Sequence, residues 1–492
     1  MLKDHLITSI VDNFSHMNDF SEKHFLTAND VAVDVFFLKN FVDVKELHKT
    51  IKNILSFEEP LLFRNIFHLL PFVSTELFPV EKGKDELAKK LEKGWVTLSF
   101  SSEPETLLLL ALVKVENRSL SQPENEAIII GPQVGFNEDL NTNISLIRRI
   151  LPSKKLYIKE FSVGQEISKI VTIMYIEGLA NPLDVEQIEK RLETLNTKVD
   201  TILNAAQLSQ LLEDNAYSLF PTIRLTERPD DAALTLLKGR IIVLTENSSY
   251  ALSLPSRMTD FLHSSEDVNL RWPIAIFIRT IRLFAVLLSI ILTPLYVGAL
   301  TYHYEVIPEA LLTSIGSSRS RVPFPPLLEA LLLEFIIELL REAGARLPTK
   351  VGQTIGIVGG IVIGTAAVEA GFTSNILIML VALGALASFI TPSYLMGTIV
   401  RFIRFPMILL AGSLGFFGIA SGIFFLLLHA VRQYSLGSPY TLPVFPFSSK
   451  GIRSLFLYLP IEKIIKGNVF KKAAFTLKSY DSPTKKGKDI DE

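Results

Sequence analysis

Aspartate is missing from the whole stretch between Asp267 and Asp481, although it is frequent in the residues before that stretch. An ionised carboxylate is costly to place in hydrocarbon, so a long segment that avoids aspartate is typical of a membrane domain. The chain has a mean hydropathy of +0.35 and 48% apolar residues, yet it carries 49 basic and 51 acidic residues. This combination predicts a water-soluble part and a lipid-embedded part.

Four strong apolar runs follow Asp267 in the sequence, and each is close to the roughly 20 residues that cross a bilayer. We interpret all four as transmembrane helices. They cover residues 284–300, 351–368, 376–400 and 405–428. Pro294 in the first run and Pro406 at the start of the last are expected to kink or to start a helix.

A fifth apolar segment, residues 324–340, carries Glu329, Glu334 and Glu338. It is a buried crossing, a re-entrant helix or an amphipathic helix at the membrane surface. At about 100° per residue, Glu334, Glu338 and Arg341 form one polar stripe, and Glu329 lies about 140° from Glu334. Charges at membrane depth usually face a bundle interior or a water-filled path and pair with one another. These four residues are therefore candidate intramembrane polar or pore-lining groups, with an interfacial helix as the alternative.

Glycine recurs at every fourth residue in the second run, at Gly352, Gly356, Gly360 and Gly364. Such overlapping GxxxG units let two helix backbones approach closely. The contact lies either inside the bundle of one subunit or at an inter-subunit or pore-side surface. Gly418 and Gly422 repeat the pattern in the last run. Glu369, at the end of the second run, is a further polar candidate, for which a solvated helix end is the plainer interpretation.

The residues before the membrane part predict two α/β subdomains, 1–120 and 155–270, joined by an extended connector, 121–154. The connector contains the turn-forming residues Gly131, Pro132 and Gly135. Period-2 and continuous apolar patterns predict strands at 31–38, 107–115, 155–163, 169–176 and 240–244, and helical patterns cover 44–55, 84–93 and 182–195. The predicted fold class is an α/β soluble N-terminal region of two subdomains followed by an all-α polytopic membrane domain, 271–430, and a basic tail, 431–492.

Positive charge predicts the orientation of the membrane part. Arg271, Arg279 and Arg282 precede the first run and place its start in the cytoplasm, because cytoplasmic flanks are enriched in basic residues. The tail is also basic, and an even number of spans puts both ends on the same side. Five spans would place the tail outside, whereas four leave several arginines on the far side. We favour four spans, with the N-terminal region and the tail cytoplasmic.

Several function classes are excluded or unsupported. The chain has no cysteine, so disulfides, iron–sulfur clusters and thiolate metal sites are impossible. The eight histidines form no HExxH pattern, and there is no P-loop or GxSxG motif. A formal charge of -2 gives no electrostatic basis for nucleic-acid binding. We therefore expect no enzyme activity, no cofactor, no metal and no nucleic-acid partner.

Four stretches of the sequence together resemble the GerA family of spore germination proteins, the A-subunit type of the spore germinant receptors. They are IIIGPQVGFNEDLNTNISLIRR (128–149), LTERPDD (225–231), RVPFPPLLEALLLEFIIELLREAGARLP (321–348) and VGQTIGIVGGIVIGTAAVEAGFTSN (351–375). The connector departs from the family's usual GPREGF, because Gln133 and Val134 stand where the family has Arg and Glu. Any ion pair that those two residues make in relatives is absent here.

The resemblance implies a receptor with three kinds of subunit in the inner membrane of the spore: this A subunit, a transporter-like B subunit and a lipoprotein C subunit. It further implies that A subunits self-associate in the bilayer into a cation-conducting channel that triggers germination. One alternative is a stage V sporulation relative that assists dipicolinic acid or ion release. A second is a secondary transporter, which would show repeats and discontinuous helices at the midplane.

Overall fold

The computed structural model describes residues 125–345 and 364–447 and, before them, parts of the region 7–123. The described residues form two compact units. The first contains residues up to Ala216 together with Ile223–Pro255, and the second contains Tyr217–Thr222 and the residues from Ser256 onward. The first unit is α/β and the second is helical, as the sequence predicts. The helical unit differs from expectation in starting at Ser256 and in including a short segment from the second subdomain.

The first sheet of the α/β unit has five antiparallel strands in the order β1-β2-β4-β5-β3. Apolar residues on both faces are buried, because Val35 and Phe37 alternate with Phe36 and Leu38 along β2. The elements are β1 (Phe20–Leu26), β2 (Ala32–Leu38), α1 (Val44–Leu55), β3 (Thr75–Pro79), α2 (Lys84–Glu92), β4 (Val96–Phe100) and β5 (Thr106–Leu110).

The second sheet is also antiparallel, in the order β6-β7-β9-β10-β8. Ile144 and Ile147 of α3 and Leu236 of α6 share a core with strand residues such as Ile158 and Leu244. The elements are α3 (Leu140–Ile150), β6 (Leu156–Val163), β7 (Lys169–Ile176), α4 (Pro182–Lys198), α5 (Ala205–Leu212), β8 (Arg224–Thr226), α6 (Pro229–Leu237), β9 (Ile241–Thr245) and β10 (Ala251–Leu254).

The predicted strands and helices of this unit are present, with ends shifted by a few residues. The connector is different from expectation, because its second half is the helix α3 and not an extended segment. Asp139 starts α3 by accepting a hydrogen bond from the Thr142 amide (3.0 Å), which satisfies a free donor of the first turn. The apolar face of α3 then packs into the second core.

Among the described residues, the helical unit contains five α-helices of more than ten residues. They are α7 (Trp272–Tyr302), α8 (Glu309–Arg319), α9 (Pro326–Ala345), α10 (Asn375–Phe389) and α11 (Tyr394–Arg432). Of these, α7 and α11 are long and apolar enough, by length and composition, to cross a membrane. α10 is a shorter apolar helix, and a further helical segment occupies residues 364–369. The predicted span 351–368 lies mostly outside the described residues.

The prediction of one continuous span over 376–400 is wrong. α10 ends at Phe389 and α11 begins at Tyr394. Pro392 lacks an amide donor and disfavours helix in the residue before it, and the Ser393 side chain accepts the Met396 amide (3.5 Å) to start the new helix. The expected break between residues 400 and 405 is also wrong, because α11 continues through it and past Pro406.

α11 is a helical hairpin that turns at Gly415. This residue has φ 62° and ψ -140°, a conformation that suits glycine because it has no Cβ. A Cβ added at Gly418 would overlap the carbonyl oxygen of Leu410, and one added at Gly422 would lie 2.5 Å from the Met407 sulfur. Residues eight and fifteen positions apart cannot be that close along one straight helix. Residues 394–414 and 416–432 therefore form two antiparallel segments, α11a and α11b, and the Gly418 and Gly422 pattern packs them together within one chain.

Segments that are distant in sequence contact one another at one end of the helical unit. We call this end, which contains Phe220, Phe261 and Tyr440, the junction end. Phe220 packs near Tyr440, with ring centroids 6.2 Å apart, and Tyr440 packs near Phe261 at the same distance. The Ser435 hydroxyl donates to the Thr222 carbonyl (2.7 Å). The segment after α11b therefore lies beside the segment through which the chain enters the helical unit.

Candidate functional site: buried charge pairs of the helical unit

Helix α9 carries the predicted polar stripe and packs against α7, α10 and α11. Its start follows from the Phe-Pro-Pro sequence at 324–326, since proline suits the first turn of a helix, where no backbone partner is needed. The glutamates divide by burial: Glu329 and Glu334 are 1% and 4% exposed, whereas the side chain of Glu338 is 40% exposed. The stripe thus runs from the interior of the bundle to its surface.

Glu334 is paired with Arg404 of α11a at the centre of the bundle. The Arg404 Nη1 atom lies 2.6 Å from Glu334 Oε2, and the Thr293 hydroxyl donates to the other carboxylate oxygen at 2.9 Å. Arg404 is itself 2% exposed, and its remaining donors reach the Ser289 carbonyl and hydroxyl and the Gly384 carbonyl. The pair joins α7, α9, α10 and α11a. Such full hydrogen bonding is what a buried charge pair requires.

Glu329 is paired with an arginine from a different part of the chain. Arg319, at the end of α8, places Nη1 3.2 Å from Glu329 Oε2. The opposite oxygen accepts the Ser374 amide (2.7 Å) and the Thr373 hydroxyl (3.1 Å), which lie at the start of α10. This carboxylate therefore anchors the start of α10 next to α9.

Glu338 is shared by two arginines. Arg341 Nη1 and Arg401 Nε lie 3.2 Å and 3.6 Å from the same oxygen, Oε1. Arg341 also lies 4.9 Å above the Phe389 ring, a favourable cation–π arrangement.

The arginine partners Arg319, Arg401 and Arg404 belong to the candidate site, and the sequence analysis did not identify them. Arg401 and Arg404 stand three residues apart, between the two predicted spans 376–400 and 405–428. Two arginines on one apolar helix and several glutamates on a second apolar helix are a pattern that indicates ion pairs between the helices. Arg401 and Arg404 both reach α9 because residues 394–414 form one continuous helix, α11a.

The remaining predicted residues have simpler surroundings. Glu369 is exposed at the end of the helical segment 364–369. Gly364 has open space where a Cβ would point. Gly352, Gly356 and Gly360 lie outside the described residues, so their close packing stays a prediction.

A fourth charge cluster, also buried, lies just before and within α7. Asp267 Oδ2 is 3.0 Å from both Arg279 Nε and Arg282 Nη1, and Arg282 also donates to the Leu262 carbonyl (2.7 Å). Burial alone would raise the pKa of Asp267, but the hydrogen bonds and charges of Arg282 and Arg279 outweigh it and lower the pKa. The carboxylate stays ionised and fixes the chain entering α7. The last aspartate before the long gap is therefore a structural anchor.

A model of the Bacillus/Clostridium GerA spore germination protein family matches residues 8–469. The chain belongs to the GerA family. It is 39% identical over 476 residues to spore germination protein GerQA of Bacillus cereus, covering 96% of this chain and 94% of the relative. It is 36% identical over 453 residues to spore germination protein A1 of Bacillus subtilis (strain 168), covering 92% and 93%.

Two further similarities were found for this GerA-family chain. The uncharacterized membrane protein YfkQ of Bacillus subtilis (strain 168) is 35% identical over 381 residues, covering 77% of this chain and 74% of the relative. Among solved structures, the N-terminal domain of the A subunit of the Bacillus megaterium spore germinant receptor GerK3 is 24% identical, with a TM-score of 0.35, covering 51% of this chain and 92% of that one.

In this GerA-family chain the LTERPDD stretch holds the connector against the second sheet. Arg228 is 1% exposed and donates to the carbonyls of Pro132 (2.7 Å) and Glu126 (3.3 Å). The Asn125 side chain donates to Glu227 Oε1 at 2.7 Å. Burial raises the pKa of Glu126, although the Arg224 charge opposes the rise. The connector is thus a fixed part of the second subdomain.

Proposed function

We propose that this chain is the A subunit of a nutrient germinant receptor in the inner membrane of the spore. The observation that carries the proposal is the GerA family match over residues 8–469, together with 39% identity to a spore germination protein over nearly the full length of both chains. The proposed role is a non-catalytic one. The proposed partners are a transporter-like B subunit, a lipoprotein C subunit and further copies of this chain.

The distribution of charge in the helical unit supports a lipid environment for it. Phe417 and Phe425 expose 73% and 64% of their surface on the outside of the bundle, whereas Arg404 and Glu334 are 2% and 4% exposed inside it. A water-soluble bundle shows the opposite arrangement, with apolar residues inside and charges outside. In lipid, interhelical charge pairs are the favourable solution.

We further propose that the helical units of several copies assemble into a cation-conducting channel. Within this proposal, Glu329 and Glu334 hold the helices of one subunit together, because each is almost fully buried and paired with an arginine. Glu338 is the candidate for a path-facing carboxylate, since two fifths of its side chain is exposed. The glycine stretch at 352–364 is the candidate contact between subunits or along the path.

Deleting the gene in its spore-forming host should abolish potassium release in response to at least one amino acid or sugar. The reason is that a receptor lacking its A subunit cannot couple nutrient to ion flux. Potassium efflux is measured for deleted and complemented spores across a nutrient panel. Unchanged efflux for every nutrient, with altered dipicolinic acid release, would contradict the receptor proposal and favour the stage V alternative.

The start of α7 and the segment after α11b should lie on the same, cytoplasmic, side of the membrane. The contacts of Met258 and Phe261, shortly before α7, with Tyr440, after α11b, support this topology. The absence of native cysteine allows a clean test with single cysteines at Ser264 and Ser438. Both should resist a membrane-impermeant maleimide in protoplasts and react after lysis. Labelling of either one from outside would contradict the topology.

A further inference from the structure

Two arginines share one carboxylate where α9 and α10 end and α11a begins. Arg341 and Arg401 both approach Glu338 Oε1. By contrast, in the described part of the chain the Glu334 carboxylate pairs with one arginine, Arg404. The cluster of Arg341, Arg401 and Glu338 therefore carries one positive charge that its own carboxylate does not balance.

Hydrogen bonding in this cluster is also incomplete. Among the described residues, the Arg341 Nε atom and the Thr391 hydroxyl are buried without a hydrogen-bond partner, and Arg401 Nε lies at an ion-pair distance of 3.6 Å from Glu338 Oε1 without a hydrogen bond. Arg401 and Thr391 are each 9% exposed. A buried donor without a partner costs free energy, so such donors usually mark a missing partner.

Gly397 lies in close contact with Arg401 and near Thr391. A Cβ built on Gly397 would lie 3.3 Å from Arg401 Nη1 and 3.9 Å from the Thr391 Cβ. The Arg401 guanidinium and the Thr391 side chain therefore lie on the same side of Gly397, which places no side chain of its own beside them. Two guanidinium groups and a hydroxyl match the oxygen atoms of a tetrahedral anion, because guanidinium donates to phosphate in a bidentate manner.

The surroundings of the cluster are aromatic and exposed. Phe389, Tyr394 and Phe402 expose 63%, 66% and 60% of their surface. Exposed aromatic residues beside basic ones are typical of the level at which a bilayer meets water. Basic pockets between membrane helices bind the head groups of anionic lipids.

We propose that Arg341, Arg401 and Thr391 form a binding site for the phosphate group of an anionic phospholipid. The lipid phosphate supplies the missing negative charge and accepts hydrogen bonds from the unpartnered donors. The acyl chains lie against the exposed aromatic rings. The proposal rests on the placement of the helical unit in a bilayer, and it does not depend on channel activity or on the identity of a nutrient.

The test is lipid retention by the purified full-length protein in detergent, measured by native mass spectrometry during titration with phosphatidylglycerol or phosphatidylcholine. The wild-type protein should bind phosphatidylglycerol roughly tenfold more tightly, since each basic residue near a lipid surface contributes to anionic binding. The double variant Arg341→Gln, Arg401→Gln should lose the preference. Equal affinity of the wild-type protein for both lipids would overturn the proposal, as would an unchanged preference in the double variant.

Two further variants control for folding and for general charge effects. Glu338→Gln keeps both arginines and removes the competing carboxylate, so affinity for phosphatidylglycerol should rise, and a fall would overturn the proposal. Arg321→Gln removes an exposed arginine just before α9 and should leave the preference unchanged. An equal loss in that control would assign the preference to overall charge.

The phosphate group at this site could belong to a lipid or to free phosphate, and competition with inorganic phosphate distinguishes the two. Inorganic phosphate should displace phosphatidylglycerol from the wild-type protein at high concentration and leave phosphatidylcholine in place. Phosphate binding by a protein that shows no lipid preference would assign the site to the free anion and overturn the lipid assignment. None of these measurements requires a nutrient, so failure here is distinguishable from failure of the receptor proposal.

Discussion

Replacing Arg404 with methionine should reduce the folded protein in the membrane to a small fraction of the wild-type amount. Methionine keeps much of the apolar volume but leaves the Glu334 carboxylate buried without its 2.6 Å partner. Removing one member of a buried ion pair costs about 3–5 kcal/mol, which is comparable to the whole stability of many domains. The monodisperse fraction after detergent extraction, measured by size-exclusion chromatography, reports the folded amount.

A second substitution distinguishes an unpaired charge from a loss of packing. Adding Glu334→Gln to Arg404→Met removes the buried charge while Gln can still accept the Thr293 hydroxyl, so part of the folded protein should return. Arg321→Met, at an exposed arginine, is the matched control and should behave as wild type. Normal folding of Arg404→Met alone would show that the pair does not hold the bundle.

Replacing Gly418 with alanine should destabilise the helical unit far more than a single methyl group suggests. The added Cβ would overlap the Leu410 carbonyl, which is backbone and cannot rotate away, so α11a and α11b must separate. Overpacking of this kind costs about 1–3 kcal/mol or more. We expect a lower thermal midpoint for the purified protein and a smaller folded fraction.

Two glycines in the same chain provide graded controls for the Gly418 variant. Gly422→Ala meets the Met407 side chain, which can move, so its effect should be smaller. Gly316→Ala lies in α8 with open space around it and should be neutral or slightly stabilising, because alanine favours helix over glycine. Equal midpoints for Gly418→Ala and Gly316→Ala would contradict the hairpin contact.

The sequence predicted the secondary structure of each unit better than the tertiary arrangement of its helices. The strands at 156–163 and 169–176 were found from the local sequence pattern, although the second one buries four consecutive residues and does not alternate strictly. The hairpin in α11 was missed, because hydropathy is the same for one long helix and for two antiparallel ones. Its turn depends on the backbone conformation of Gly415, which a one-dimensional pattern does not contain.

The charged residues show the same limit. The period of α9 correctly placed Glu334, Glu338 and Arg341 near one another on the helix surface, but it could not identify partners from other helices. Arg404 is 70 residues from Glu334 in sequence. Such a pair is determined by tertiary packing, and only the arrangement of four helices around it makes the burial of both charges tolerable.

The junction end has a consequence for the order in which the protein is made. Phe220 lies beside Tyr440, so a contact of the helical core joins residues separated by most of the membrane part. The ribosome must therefore synthesise α7 to α11 before this contact can form, whereas the two sheets need no residue beyond Leu254. The α/β unit can fold while the nascent chain is still being inserted, because domains fold as units during synthesis. Release of residues near 440 from the ribosome then completes the core, which makes closure of the bundle a late event in biogenesis.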